Sequence, residues 1–73
     1  MKYRISADKL GLTTYTNSLQ KAFQIFDEYT KETNKAFNWE YMTISEMEKE
    51  EGRPITTKDL MGCDEIFFSI EED

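Results

Sequence analysis

The sequence predicts a small α+β fold: an antiparallel sheet of three to four strands, with one amphipathic helix packed on one face, in the order β-β-α-β-β. Three observations predict it. Apolar and polar residues alternate at both ends of the chain, over 2–7 and 65–71, which is the period of a half-buried strand. Between them, Leu19, Ala22, Phe23, Phe26 and Tyr29 recur at three- and four-residue spacing, which places them on one helical stripe. The 73 residues contain no internal repeat and no low-complexity tract, so one small acidic domain over 1–73 is the expectation.

The first strand spans 2–7, with Tyr3, Ile5 and Ala7 on one face and Lys2, Arg4 and Ser6 on the other. Asp8-Lys9-Leu10-Gly11 reads as a turn, because glycine adopts positive φ without steric cost. Residues 12–16 are rich in β-branched and aromatic types and return as a second strand. The helix follows, with Ile25 widening its apolar stripe and Asn17 or Ser18 as its cap. With Asn17 as cap, Gln20 falls at the position that completes a capping box. Asp27 and Lys31 stand four apart in the favourable order for a helical ion pair. The helix is expected to end near Thr33 and Asn34, since asparagine tolerates the left-handed terminal turn.

Residues 37–45 read as a strand, with Phe37, Trp39, Tyr41 and Thr43 on one face and Asn38, Glu40, Met42 and Ile44 on the other. Two readings fit the charged stretch 46–52. In one it extends the strand into a hairpin that turns at Glu50-Glu51-Gly52, ahead of Arg53-Pro54. In the other it forms a helical turn capped by Ser45, with Glu48 three residues on. The hairpin is the expectation, and Pro54, which has no N–H, confines any strand there to an edge or a start. Residues 57–61 read as one helical turn stopped by Gly62. In the last strand Ile66, Phe68 and Ile70 face one way, and Phe67 and Ser69 the other. Glu71-Glu72-Asp73 reads as a frayed acidic end.

Composition narrows the function classes. Hydrophobic residues make up 38% and aromatic residues 14%, enough for a packed core and unlike a disordered chain. A domain of this length rarely gains more than ~3–5 kcal/mol from its core without a staple. The single cysteine allows no internal disulfide, and with no histidine there is no ordinary zinc site. A partner or a second copy would relieve the shortage of buried area. No apolar stretch follows the charged start, and no run approaches the roughly 20 residues of a membrane span. With a lone thiol, the expectation is a cytoplasmic protein that does not engage membranes.

The charge is unevenly spread. Residues 1–37 carry six basic and four acidic side chains, net +2; residues 38–73 carry three basic and eleven acidic, net −8. The second half therefore repels phosphate backbones and attracts basic surfaces. Trp39, Tyr41 and Phe67 could stack on bases, but no basic groove accompanies them, so direct nucleic-acid binding is not expected. The absence of histidine removes the commonest general base and the usual catalytic triads. Cys63 is followed by two acids, which disfavour its thiolate. The acid clusters lack the spacing and central glycine of a calcium loop, and the three glycines form no phosphate-binding loop. No catalytic residue, metal or cofactor is expected.

What remains is surface recognition. The two well-marked strands carry more large apolar groups than one helix can cover, and leftover apolar area of a few hundred Å² marks an interface. The sequence thus points to a non-enzymatic protein-interaction module. Trp39, Tyr41 and Phe67 supply its anchor, and Glu46, Glu48, Glu50, Glu51, Asp64 and Glu65 steer it toward a partner with a basic surface. A sharper version is a small acidic inhibitor, of the phage or mobile-element type, that occupies the nucleic-acid-binding surface of another protein. The second reading is a homodimeric structural or accessory subunit that pairs through an exposed aromatic sheet face. Acidic residues that simply keep a small protein soluble form the plain alternative.

Overall fold

The computed structural model describes residues 1–71. Strand β1 (Lys2–Ala7) leads through a 3-10 turn at Asp8–Leu10 into strand β2 (Leu12–Thr16). Helix α1 (Leu19–Phe37) follows, then helices α2 (Ile44–Glu51) and α3 (Thr57–Met61), and strand β3 (Ile66–Glu71) closes the sheet. The three strands are antiparallel in the order β2-β1-β3. The last strand therefore pairs with the first, and the hairpin partner β2 lies on the other side of β1.

Register decides the faces. Ile5 stands opposite Phe68, Ala7 opposite Ile66 and Tyr3 opposite Ile70. Directly opposed residues share a face, so these six form one apolar surface, as the alternation predicts. Helix α1 covers it with Ala22 and Phe26. Phe68 meets Tyr3 and the edge of Phe23, with ring centroids 5.9 and 6.2 Å apart. The Tyr29 hydroxyl adds a hydrogen bond to Thr14 of β2. Further along the buried stripe of α1, Thr30 donates to the Phe26 carbonyl at 2.9 Å. The Thr33 hydroxyl is buried with no partner among the described residues.

The hairpin at the start of the chain forms as expected, with Gly11 at φ 66° closing its turn. Helix α1 starts at Ser18, whose side chain accepts from the Lys21 N–H at 3.2 Å. Of the two candidate caps it is Ser18 that serves, so the box built on Asn17 and Gln20 does not form. The helix also runs one turn past Asn34, to Phe37. Asn38 takes the left-handed cap at φ 57°, the role expected of an asparagine near 34.

Residues 37–45 are not a strand. Phe37 ends α1, 38–43 form a connecting loop, and Ile44 begins α2. The charged stretch after it is helical rather than a hairpin. Its cap is Thr43, two residues before the Ser45 of the helical alternative. The Glu46 carboxylate accepts from the Thr43 N–H at 3.1 Å, while the Glu46 N–H reaches the Thr43 hydroxyl. This reciprocal box satisfies donors that a helix start otherwise leaves free. Gly52 ends α2 at φ 69°. Helix α3 matches its expected span, 57–61, and Gly62 closes it at φ −91° without a left-handed turn. Three to four strands with one helix thus become three strands with three helices, and the expected order β-β-α-β-β becomes β-β-α-α-α-β. Of the expected acidic end, Glu71 belongs to β3 opposite Lys2, and residues 72–73 lie outside the described part.

Ile44, Ile55 and Leu60 join the core beside α1, so the 44–62 segment packs on the same face of the sheet as α1. It does not fold back over the outer face. That face presents Phe67, 44% exposed, and Tyr15, 52% exposed. Among the described residues, no helix is long and apolar enough to cross a membrane.

Candidate functional site

The loop after α1 organises the most prominent aromatic surface of the molecule. The Trp39 N–H continues the helix ladder to the Asn34 carbonyl at 3.0 Å. The Asn34 side-chain amide then brackets Tyr41: its Nδ2 donates to the Tyr41 carbonyl at 2.8 Å, and its Oδ1 accepts from the Tyr41 N–H at 3.0 Å. Both backbone polar groups of Tyr41 are held by one side chain, which gives a short coil a single conformation. Phe37 and Trp39 stack at 5.0 Å between centroids, and Tyr41 meets Trp39 edge-on at 5.6 Å. Lys9, from the turn between β1 and β2, lies over the Trp39 ring at 5.3 Å, a cation–π contact. Phe37 is 42% and Tyr41 47% exposed. Trp39, half-buried between its neighbours and Lys9, is the centre of the ridge rather than its outermost point.

The expected partner-binding residues separate into groups. Trp39 and Tyr41 are brought together, but by a loop and not by a sheet face. Phe67 is on the outer face of β3, opposite Ser6, and has no ring contact with the Trp39 cluster among the described residues. Of the acids, Glu46 is occupied by the α2 cap, and the Glu48 carboxylate accepts from the Ile55 N–H at 3.3 Å. Both carboxylates are engaged by backbone donors. Glu50 and Glu51 stand exposed at the end of α2, and Asp64 and Glu65 precede β3. Phe37, Met42, Lys9 and Asn34 belong to the site and were not singled out as such. Only Phe37 had a signal, its two-residue spacing from Trp39; the Asn34 bracket spans seven residues and has no sequence rule behind it.

Beside the ridge, α1, the 41–42 segment, α2 and the 62–66 segment enclose a cleft of about 260 Å³. Buried Phe26, Thr30 and Ile66 form its floor, and Tyr41, Met42 and Met47 form one wall. The turn at Gly62 and Cys63 and the acidic residues Asp64 and Glu65 complete the lining. Burial, and then the nearby charges of Asp64 and Asp59, push the Cys63 thiol above its usual value. It is protonated at neutral pH, which leaves it a weak nucleophile.

Elsewhere the charges stabilise local structure. Arg53 makes a two-pronged contact with Asp59, at 2.9 and 3.1 Å. Together with the Thr56 N–H and hydroxyl, it holds the Asp59 carboxyl well below the ordinary carboxylate range. Glu46 is lowered too, chiefly by the Thr43 N–H and then by its hydroxyl. Among the described residues no three histidine, cysteine or acidic side chains converge as metal ligands would. The arrangement offers a fixed aromatic ridge and a small, mainly apolar cleft with two acidic residues in its lining, which are the parts of a binding surface. No protein-family model matches the chain, and neither the curated proteins nor the solved structures contain a match to it.

Proposed function

We propose that this chain is a non-enzymatic protein-interaction module that binds a basic partner protein through the Phe37-Trp39-Tyr41 ridge. The observation that carries the reading is the ridge itself: Phe37 stacked on Trp39 and Tyr41 edge-on to it at the surface, held by the Asn34 bracket and by Lys9. A pre-ordered aromatic surface loses little entropy on binding, and aromatic side chains carry much of the energy of protein interfaces. Glu40 within the ridge, Asp64 and Glu65 in the neighbouring cleft lining, and Glu50 and Glu51 exposed at the end of α2 favour a positively charged partner and speed encounter with it. In its sharper form the module is a small acidic inhibitor of the phage or mobile-element type. It would cover the nucleic-acid-binding surface of its target and make no nucleic-acid contact itself.

The test is affinity capture of the target from source-cell lysate at low and high salt, comparing wild type with two variants. Phe37→Ala/Tyr41→Ala is expected to lower capture at least tenfold at either salt. Glu50→Lys/Glu51→Lys is expected to lower it chiefly at low salt, where charge steering is strongest. Glu46 and Glu48 are left intact because the fold uses them. Capture that is unchanged by loss of the two rings would overturn the proposal.

The uncovered outer sheet face favours a second reading, a homodimer. The structure removes Trp39 and Tyr41 from that face, so the pairing residues become Tyr15 and Phe67. Sedimentation equilibrium should then give twice the 8.7 kDa chain mass, reverting to the monomer in Phe67→Glu. A wild-type monomer at millimolar concentration would rule it out.

A further inference from the structure

We infer that the cleft beside the ridge is the receptacle for an arginine side chain of the partner. The inference rests on the protein-interaction reading above and names the chemistry of the partner at one place.

The cleft has two chemically distinct zones. Its floor and the wall of Tyr41, Met42 and Met47 are apolar, and the one hydroxyl in the floor, on Thr30, is already donated to the Phe26 carbonyl. The depth of the cleft is therefore mainly apolar, with the Thr30 oxygen left as an acceptor only. The lining also includes two acidic residues, exposed Asp64 and half-buried Glu65, and no lysine or arginine. Neither carboxylate forms an ion pair among the described residues. An occupant that fits both zones has an apolar stem and a cationic head.

Size and shape narrow it further. About 260 Å³ lies below the roughly 300–1,000 Å³ of ordinary small-molecule pockets, which suits one side chain of a larger partner. Lysine and arginine both carry apolar stems that lie along apolar walls while the charge reaches outward. Arginine fits better. Its planar head stacks on an aromatic ring and bonds carboxylates in a fork, and it is the more weakly hydrated cation. Tyr41 offers the ring, and Asp64 and Glu65 offer the carboxylates. Methionines adapt their shape to an inserted stem. The surface already shows the same chemistry within the chain, where Lys9 lies over Trp39 and Lys2 over Tyr15 at 5.7 Å.

The four methionines make a direct test possible, because Met42 and Met47 line the cleft while Met1 and Met61 do not. The full chain, labelled with 13C at the methionine methyls, is titrated with N-acetyl-Leu-Arg-Leu-amide and with its citrulline counterpart, which keeps the shape and loses the charge. Saturable shifts are expected at Met42 and Met47 and not at Met1 or Met61. The citrulline peptide should bind at least tenfold more weakly. Asp64→Asn/Glu65→Gln should weaken the arginine peptide at least fivefold, and Glu28→Gln/Glu32→Gln, exposed on α1 and outside the cleft, should leave it unchanged. Equal binding of the citrulline peptide, equal shifts at all four methyls, or an unaffected Asp64→Asn/Glu65→Gln variant would each overturn the inference. The two proposals fail separately. If capture of the target depends on Phe37 and Tyr41 while the arginine peptide does not enter the cleft, the arginine site falls and the module stands. If the peptide enters the cleft while capture ignores the ridge, the reverse holds.

Discussion

Replacing Leu60 by alanine is expected to cost about 3 kcal/mol, within the usual range of about 2–5 for a buried leucine. In a domain with only a few kcal/mol in hand, that leaves much of the population unfolded at room temperature. Leu60 is fully buried although it sits in a helix of only five residues. So short a helix has little stability of its own. It exists because Leu60, with Ile55 before it, fills the core next to Ile66 and Phe68. Urea unfolding of the Leu60→Ala variant, followed by far-UV circular dichroism, is the measurement. Neighbouring Met61 is 53% exposed, and Met61→Ala is the control, expected to stay within about 0.5 kcal/mol of wild type as surface changes do. A mild effect at Leu60, comparable to that at Met61, would mean that α3 does not seal the core.

The second large effect is expected at Asp27. Its Oδ1 accepts from the Ile44 N–H at 2.6 Å, so a carboxylate of α1 satisfies one of the donors at the start of α2. Ile44 is buried, and water cannot readily replace the lost acceptor. Asp27→Ala should therefore cost about 1.5–3 kcal/mol, the range for hydrogen bonds to a charged group. Asp27→Asn keeps an acceptor oxygen and should lose less. Hydrogen exchange locates the effect: amides of 44–51 should lose protection in Asp27→Ala before those of the sheet do, since α2 opens as a local unit. Uniform loss across sheet and helices would place the role of Asp27 in the core instead. The same residue shows how a correct local rule can miss a contact. Asp27 and Lys31 have the spacing of a helical ion pair, yet the carboxylate turns to a backbone donor 17 residues away.

The aromatic ridge was legible in the sequence for a reason that does not hold. Phe37, Trp39 and Tyr41 alternate as the residues of a strand face do, and they do share a surface. They share it because Asn34 holds Tyr41 and because Asn38 turns the chain out of α1 at a left-handed residue. The acids divide in a similar way. Composition identifies the negative half of the chain but cannot say that Glu46 and Glu48 bind backbone N–H groups while Glu50, Glu51, Asp64 and Glu65 face solvent or the cleft. Where such a carboxylate is spent depends on which N–H groups the fold leaves free, and these appear only once α2 and the turn to Ile55 exist.

Sequence alone determined the two strands and turn of the first hairpin, the existence and inner face of α1, the short helix at Thr57–Met61 and the inward face of the last strand. These follow from periodicity and from residues with strong local preferences, which act within a turn or two of chain. Tertiary structure alone decided that the last strand pairs with the first and that the helices share one face of the sheet; the helix at 44–51 was one of two sequence readings, and its Thr43–Glu46 cap is local. Tertiary structure also decided where the cleft opens. The physical reason is the same in each case: the deciding contacts join residues distant in the chain, Ile5 with Phe68, Asp27 with Ile44 and Leu60 with the core beside Ile66, and no local pattern encodes a pairing of that kind.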